Sequence, residues 1–96
     1  MTTEQLVLHR REEILRVAAQ HGAHNVRVFG SVARGEAGEE SDIDLLVDME
    51  PGRSGLEQAE LILDLEALLE RRVDVVTEAG LYWLLRRRIL KEARPL

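Results

Sequence analysis

The sequence predicts a single α/β domain built around one small sheet. Three short strand-like runs, at residues 25–29, 43–49 and 72–77, alternate with longer stretches whose apolar residues recur at helical spacing. Glycine and proline punctuate the joins, at Gly22, Gly30, Gly35, Gly38 and Pro51-Gly52. Elements that alternate in this way pack as helices against a sheet. At 96 residues the chain, 1–96, is expected to be one domain with no room for a second core.

Taken in order, Thr2 with Gln5 three residues later forms a capping box. The helix it opens is expected to run unbroken to His21, with Val7, Ile14 and Ala18 as its apolar stripe and Leu15 beside them. Gly22 stops it. Residues 25–29 alternate, Val26 and Val28 facing one way. Gly30-Ser31 breaks that strand, and only a short helix fits between Ser31 and about Glu36. A glycine-containing, acidic loop follows, up to Ser41. Residues 43–49 read as a buried strand centred on Leu45, Leu46 and Val47. After a turn-rich connection at 51–55 comes a strong helix, 56–71. Its expected stripe is Leu56, Ala59, Ile62, Leu63 and Leu69, widened by Leu61, Leu65 and Leu68. Residues 72–77 form the third strand, and Thr77 caps a last helix, 78–93, closed by Pro95.

Composition narrows the function. An apolar share of 45% and charges of both signs at 32% suit a globular chain. A net charge of −5 argues against direct nucleic-acid binding, which needs a basic surface. The absence of cysteine excludes disulfides and thiolate metal sites. No apolar run approaches the roughly 20 residues that span a bilayer, and Met1-Thr2-Thr3-Glu4 does not resemble a signal peptide. The expectation is a cytoplasmic protein without a membrane partner.

Asp42 and Asp44, two apart on a strand, present their carboxylates on one face. Such a pair repels itself unless a cation lies between its members, and oxygen ligands of this kind suit Mg²⁺. Ser41-Asp42 read alone is equally a polar turn that starts a strand. Just upstream, Gly30 lets backbone approach a phosphate closely. Ser31 begins a short helix, where it serves as an anion-binding position or simply as a cap. A third carboxylate is expected from a neighbouring strand, and Asp74 is the candidate, with Val73 and Val75 pointing the other way. A lone aspartate in a buried strand is costly unless paired or metal-bound. Asp48 shares the face of Asp44 but lies farther along, as a surface residue. Arg34, in the short helix beside this anion-binding turn, is placed either to touch a triphosphate held there or its acceptor, or to pair with Glu36 or Glu39 at the surface.

The segment Phe29-Gly30-Ser31-Val32-Ala33-Arg34-Gly35-Glu36, with Ser41-Asp42-Ile43-Asp44-Leu45-Leu46-Val47, resembles the signature of the DNA polymerase beta-type nucleotidyltransferase superfamily. Within it, the short chain is similar to the minimal nucleotidyltransferase antitoxins of prokaryotes, from its first helix to Leu90-Lys91-Glu92-Ala93. The resemblance implies a mixed β-sheet flanked by helices. It implies that Gly30 and Ser31, with Arg34 near them, hold the triphosphate of ATP. Asp42, Asp44 and Asp74 would hold two Mg²⁺ ions. The implied activity is AMP transfer to a tyrosine of a HEPN-domain ribonuclease toxin, within a hetero-oligomeric, type VII-like toxin–antitoxin pair. Two other functions fit the chain less well: a masking antitoxin without catalysis, which has no need of converging carboxylates, and a transferase with a small-molecule acceptor, which needs a larger pocket.

Other features carry less. His9, His21 and His24 lack ligand-like spacing with the aspartates, and His21 suits a helix C-terminus. Arg86-Arg87-Arg88 with Lys91 and Arg94 reads as a solvated helix face, or as a contact for an acidic partner surface or RNA. Tyr82 and Trp83, adjacent on the last helix, cannot both turn fully inward, and they read either as simple core packing or as setting one ring in a partner interface.

Overall fold

The capping box at Thr2 forms as its sequence dictates: the Thr2 side chain accepts from the Gln5 N–H, and the Gln5 side chain accepts from the Thr2 N–H. In the computed structural model, which describes residues 1–96, the helix it opens nevertheless ends at His9. Arg10 leaves helical geometry (φ −101°, ψ 15°), so the expected single helix is two, α1 (Thr3–His9) and α2 (Arg11–Gln20). No glycine or proline marks this break. Buried Thr3 ties α1 to the loop before the second strand, donating through both its N–H and its hydroxyl to the Gly38 carbonyl. Val7, Ile14 and Ala18 still reach the core together.

Strand β1 (Ala23–Phe29) runs into the four-residue helix α3 (Gly30–Ala33), and β2 (Ile43–Met49) follows the loop. Helix α4 (Gly55–Leu69) leads to β3 (Val73–Val76), then a 3-10 turn at Glu78–Gly80, helix α5 (Trp83–Glu92) and a two-residue strand β4 (Arg94–Pro95). The sheet order is β3-β2-β1-β4, with β2 and β3 parallel and the other pairs antiparallel. The sheet is therefore mixed, as the resemblance implied.

Strand β1 begins two residues earlier than its alternation suggests. Asn25 adopts a positive φ of 50°, and the register slips between His24 and Arg27. This bulge places Ala23 and Val26 both in the core, which hides the period-2 signal. Strand β4 is too short to carry any periodicity, and it was not expected. The last helix also starts later: Thr77 caps the 3-10 turn rather than α5, accepting from Gly80.

The core lies on one face of the sheet. Ile43, Leu45 and Val47 of β2, with Val73 and Val75 of β3, meet Val7, Ile14 and Ala18 beneath and Leu61, Leu65 and Leu69 of α4. Thus the α4 stripe is Leu61–Leu65–Leu69, at i, i+4 and i+8. Leu56 and Leu63, expected at its centre, face solvent. Apolar residues occur on every side of α4, interspersed with Glu57, Gln58, Glu60, Asp64 and Glu66, so periodicity alone does not select its buried side. Polar contacts select it: Gln58 donates to the Val75 carbonyl, and the Glu66 carboxylate accepts from the Val73 N–H.

His21, at the end of α2, clasps α4. Its Nδ1 lies 3.0 Å from Glu57 and its Nε2 2.6 Å from Asp64. His21 is the C-cap of α2, the helix-end position expected for it, and the side-chain bridge adds to that role. The Asp64 hydrogen bond above all, then the Glu57 carboxylate, raises the imidazole pKa against the opposing effect of burial. A raised folded pKa contributes stability that is complete below the unfolded value and is lost as pH rises through the folded one. His21→Gln is expected to lower the Tm by about 2–5 °C at pH 5.5, with the deficit closing by pH 8.5. Thermal unfolding across that range checks it; a pH-independent deficit would mean the bridge is uncharged.

Candidate active site

The two faces of the sheet differ because alternate residues point opposite ways. While Ile43 and Leu45 enter the core, Asp44 and Leu46 face the other side, and so do Asp74 and Val76. The register aligns Phe29 of β1 with Asp44 of β2, and Asp44 with Asp74 of β3. Asp42 sits one residue before β2 begins. The three aspartates thus gather at one end of one face, on two adjacent parallel strands.

Their environments differ. Asp44 is half-buried, whereas Asp42 and Asp74 are exposed. Asp74 is therefore not the buried aspartate its apolar neighbours suggested, because β3 is an edge strand and its outward face is open. Burial pushes the Asp44 carboxyl pKa up, and the charges of Asp74 and Asp42 push it further. Arg34 opposes them, and Glu92 adds to the rise. Three carboxylates that converge so that two oppose the ionisation of the half-buried third form a donor set suited to a hard divalent cation.

Gly30 follows Phe29 and turns the chain beside Asp44. Its φ is +72°, and a Cβ added there would collide with the Asp44 carboxylate. The glycine is needed for approach, but the group that approaches is an aspartate of the site. Ser31 is half-buried in α3. Arg34, just after α3, pairs with Glu36 at 3.1 Å, as expected, and also with Glu92 at 3.2 Å. Asp48 stays away from the cluster, bonded to Asn25 and Arg27 at the far end of β2.

Glu92 is the residue sequence reasoning missed. It lies on the last turn of α5, and its Oε2 accepts the Gly30 N–H at 2.6 Å. Helix α5 covers this end of the site face: Leu85, Arg88 and Ile89 line a crevice with Phe29, Gly30 and Arg34. Its outer side leaves Tyr82 and Trp83 both exposed, with ring centroids 6.2 Å apart. A separate group, His21 with Glu57 and Glu60, brings its ligand atoms within 4.8 Å of one another. The ion pairs of His21 with Asp64 and of Glu57 with Arg53 account for that group as part of the α2–α4 clasp. Another crevice, lined by Val7, Val28, Val32, Ala33, Pro95 and Leu96 with Glu4 and Arg94 also in its wall, is largely apolar and holds none of the aspartates.

A mixed sheet with clustered carboxylates beside a glycine turn defines a class of group-transferring α/β domains. The chain belongs to the nucleotidyltransferase domain family, whose pattern matches residues 11–96, and it is an enzyme of that kind. It is 41% identical over 87 residues to the protein adenylyltransferase MntA of Thermococcus cleftensis, covering 91% of this chain and 84% of that one. A solved structure described as a minimal nucleotidyltransferase is 56% identical, with a TM-score of 0.84 over 97% of this chain and 95% of the other. The fold is shared more distantly with the Shewanella oneidensis MNT antitoxin bound to its tri-AMPylated HEPN toxin. The match is 20% identical with a TM-score of 0.66, over 97% of this chain and 71% of the matched chain. No helix here is long and apolar enough to cross a membrane.

Proposed function

We propose that this protein transfers AMP from ATP onto a tyrosine of a HEPN-domain ribonuclease toxin, and so serves as the antitoxin of a type VII-like pair in the cytoplasm. The observation that carries the reading is the register that aligns Asp44 with Asp74 on parallel strands, with Asp42 at the strand entrance and Gly30 packed against Asp44. Similarity to MntA of Thermococcus cleftensis supports the chemistry. The shared fold of the Shewanella oneidensis complex suggests the type of partner.

Asp42, Asp44 and Asp74 would hold Mg²⁺, two ions in the full site, with Asp44 at the centre. Bound there, Mg²⁺ supplies the positive charge that neutralises the triphosphate and acidifies the acceptor hydroxyl. Gly30, Ser31 and Arg34 hold the phosphates. The tyrosine oxygen bonds to the α-phosphorus, the bond to the β-phosphate oxygen breaks, and pyrophosphate leaves. Asp74, exposed at the sheet edge, faces the acceptor and takes the hydroxyl proton. The exposure of Tyr82, Trp83, Leu84 and Leu85 favours a second reading, in which the chain masks its partner by binding alone.

Incubation with Mg-ATP and a HEPN-domain partner, followed by intact-mass measurement, separates the two. A gain of one or more AMP units on the partner is the expected result, lost when its acceptor tyrosine becomes phenylalanine. A tight complex without mass gain would replace transfer by masking.

A further inference from the structure

Glu92 is an unusual neighbour for a cluster of aspartates. Its side chain is only 16% exposed, and its charge adds to the rise in the Asp44 pKa. A carboxylate so placed needs strong donors, and it has them. Its Oε2 takes the Gly30 N–H at 2.6 Å, while Arg34 Nη1 lies 3.3 and 3.2 Å from its two oxygens. One turn back on α5, Arg88 Nε stands 4.0 Å from Oε1. Beyond these lies an open cleft lined by Arg34, Leu84, Arg87, Arg88, Lys91 and Glu92 itself. Four cations thus line one cleft of a chain whose net charge is −5, and its only anion is Glu92.

Guanidinium groups and backbone N–H donors bind carboxylate and phosphate oxygens alike. We propose that Glu92 holds the place of the nucleotide's outer phosphates, and that when these displace it Arg88 of α5 joins Arg34 in gripping them. The inference rests on the reading of the Gly30 turn as the triphosphate side of the site. It makes Arg88 a nucleotide-binding residue, and it makes Glu92 a built-in competitor that sets nucleotide affinity. Displacement requires only rotation of the Glu92 side chain, because α5 stays anchored through the pairing of β4 with β1.

The test is calorimetric binding of Mg²⁺-free pyrophosphate, and of a non-hydrolysable ATP analogue with Mg²⁺, to the full chain and its variants. Glu92→Gln keeps an oxygen acceptor for the Gly30 N–H but removes the competing charge, so both ligands should bind about 10-fold more tightly. Arg88→Gln should weaken both about 10-fold, and Arg88→Lys should recover part of the loss. In AMP transfer the Arg88→Gln defect should fall on KM for ATP more than on kcat. Weaker or unchanged binding by Glu92→Gln overturns the place-holder, and unchanged binding by Arg88→Gln overturns the role of Arg88. If wild type binds the analogue and neither variant differs, this inference alone fails. If neither wild type nor Glu92→Gln binds it, the nucleotide reading of the site fails as well. Thermal unfolding of each variant separates these outcomes from loss of fold.

Discussion

Asp44→Asn is expected to reduce AMP transfer by about 10³-fold or more, the scale on which removal of one preorganised electrostatic contact acts. Asp44 is central to the site: it is aligned with Asp74, flanked by Asp42 and packed against Gly30. The same substitution is expected to leave the fold intact and, without Mg²⁺, to raise the Tm. The sign follows from the raised pKa, caused first by burial and then by Asp74 and Asp42. A carboxyl whose folded pKa lies above its unfolded value contributes stability at low pH that is lost as pH rises through the folded value. At neutral pH its ionised form therefore costs stability, and a neutral asparagine relieves that cost. Transfer assays and thermal unfolding at pH 7 check both halves. Appreciable transfer by Asp44→Asn in Mg²⁺ would sink the assignment, and a fall in Tm would show that the carboxylate is needed for packing.

The second large effect is expected at Gly30. Alanine there meets two penalties at once. The φ of +72° is a conformation that residues with a Cβ adopt at a cost, and the added methyl collides with the Asp44 carboxylate. The strand end or the carboxylate must move, and displacements of about 1 Å in a reacting site cost on the order of 10²-fold. Gly30→Ala should therefore lose transfer by about that factor while also lowering the Tm. Gly35 provides the contrast, since it has a similar φ but open space around it. Gly35→Ala should lower the Tm with little effect on transfer. Equal activity losses in the two variants would show that backbone strain, and not the contact with Asp44, explains the Gly30 defect.

Much of this was readable along the chain because the signals are local. The capping box of Thr2 and Gln5, the alternation of Ile43, Asp44 and Leu45, and the glycine after Phe29 each lie within a few residues, and the structure retains each of them. Errors arose where the deciding contact is distant. The break at Arg10 carries no breaker residue, and the Thr3–Gly38 bonds that accompany it reach across 35 positions. The buried side of α4 was misjudged because apolar residues surround that helix, and Gln58 and Glu66 orient it against β3. Asp74 was placed on the correct face for a partly wrong reason: alternation located it, but its exposure follows from the edge position of β3. The β1 bulge and the two residues of β4 fall below what a period-2 pattern can reveal.

By itself, the sequence determined which face of each strand the candidate carboxylates occupy, since side-chain direction on a strand follows from the backbone alone. Tertiary structure alone decided how those strands align and what lies over them. It set Phe29, Asp44 and Asp74 in one row across the sheet. It also brought Glu92 onto the N–H of Gly30 across 62 positions of sequence. Alternation is a property of one strand, whereas register and helix docking arise from packing and hydrogen bonds between segments that carry no mark of one another.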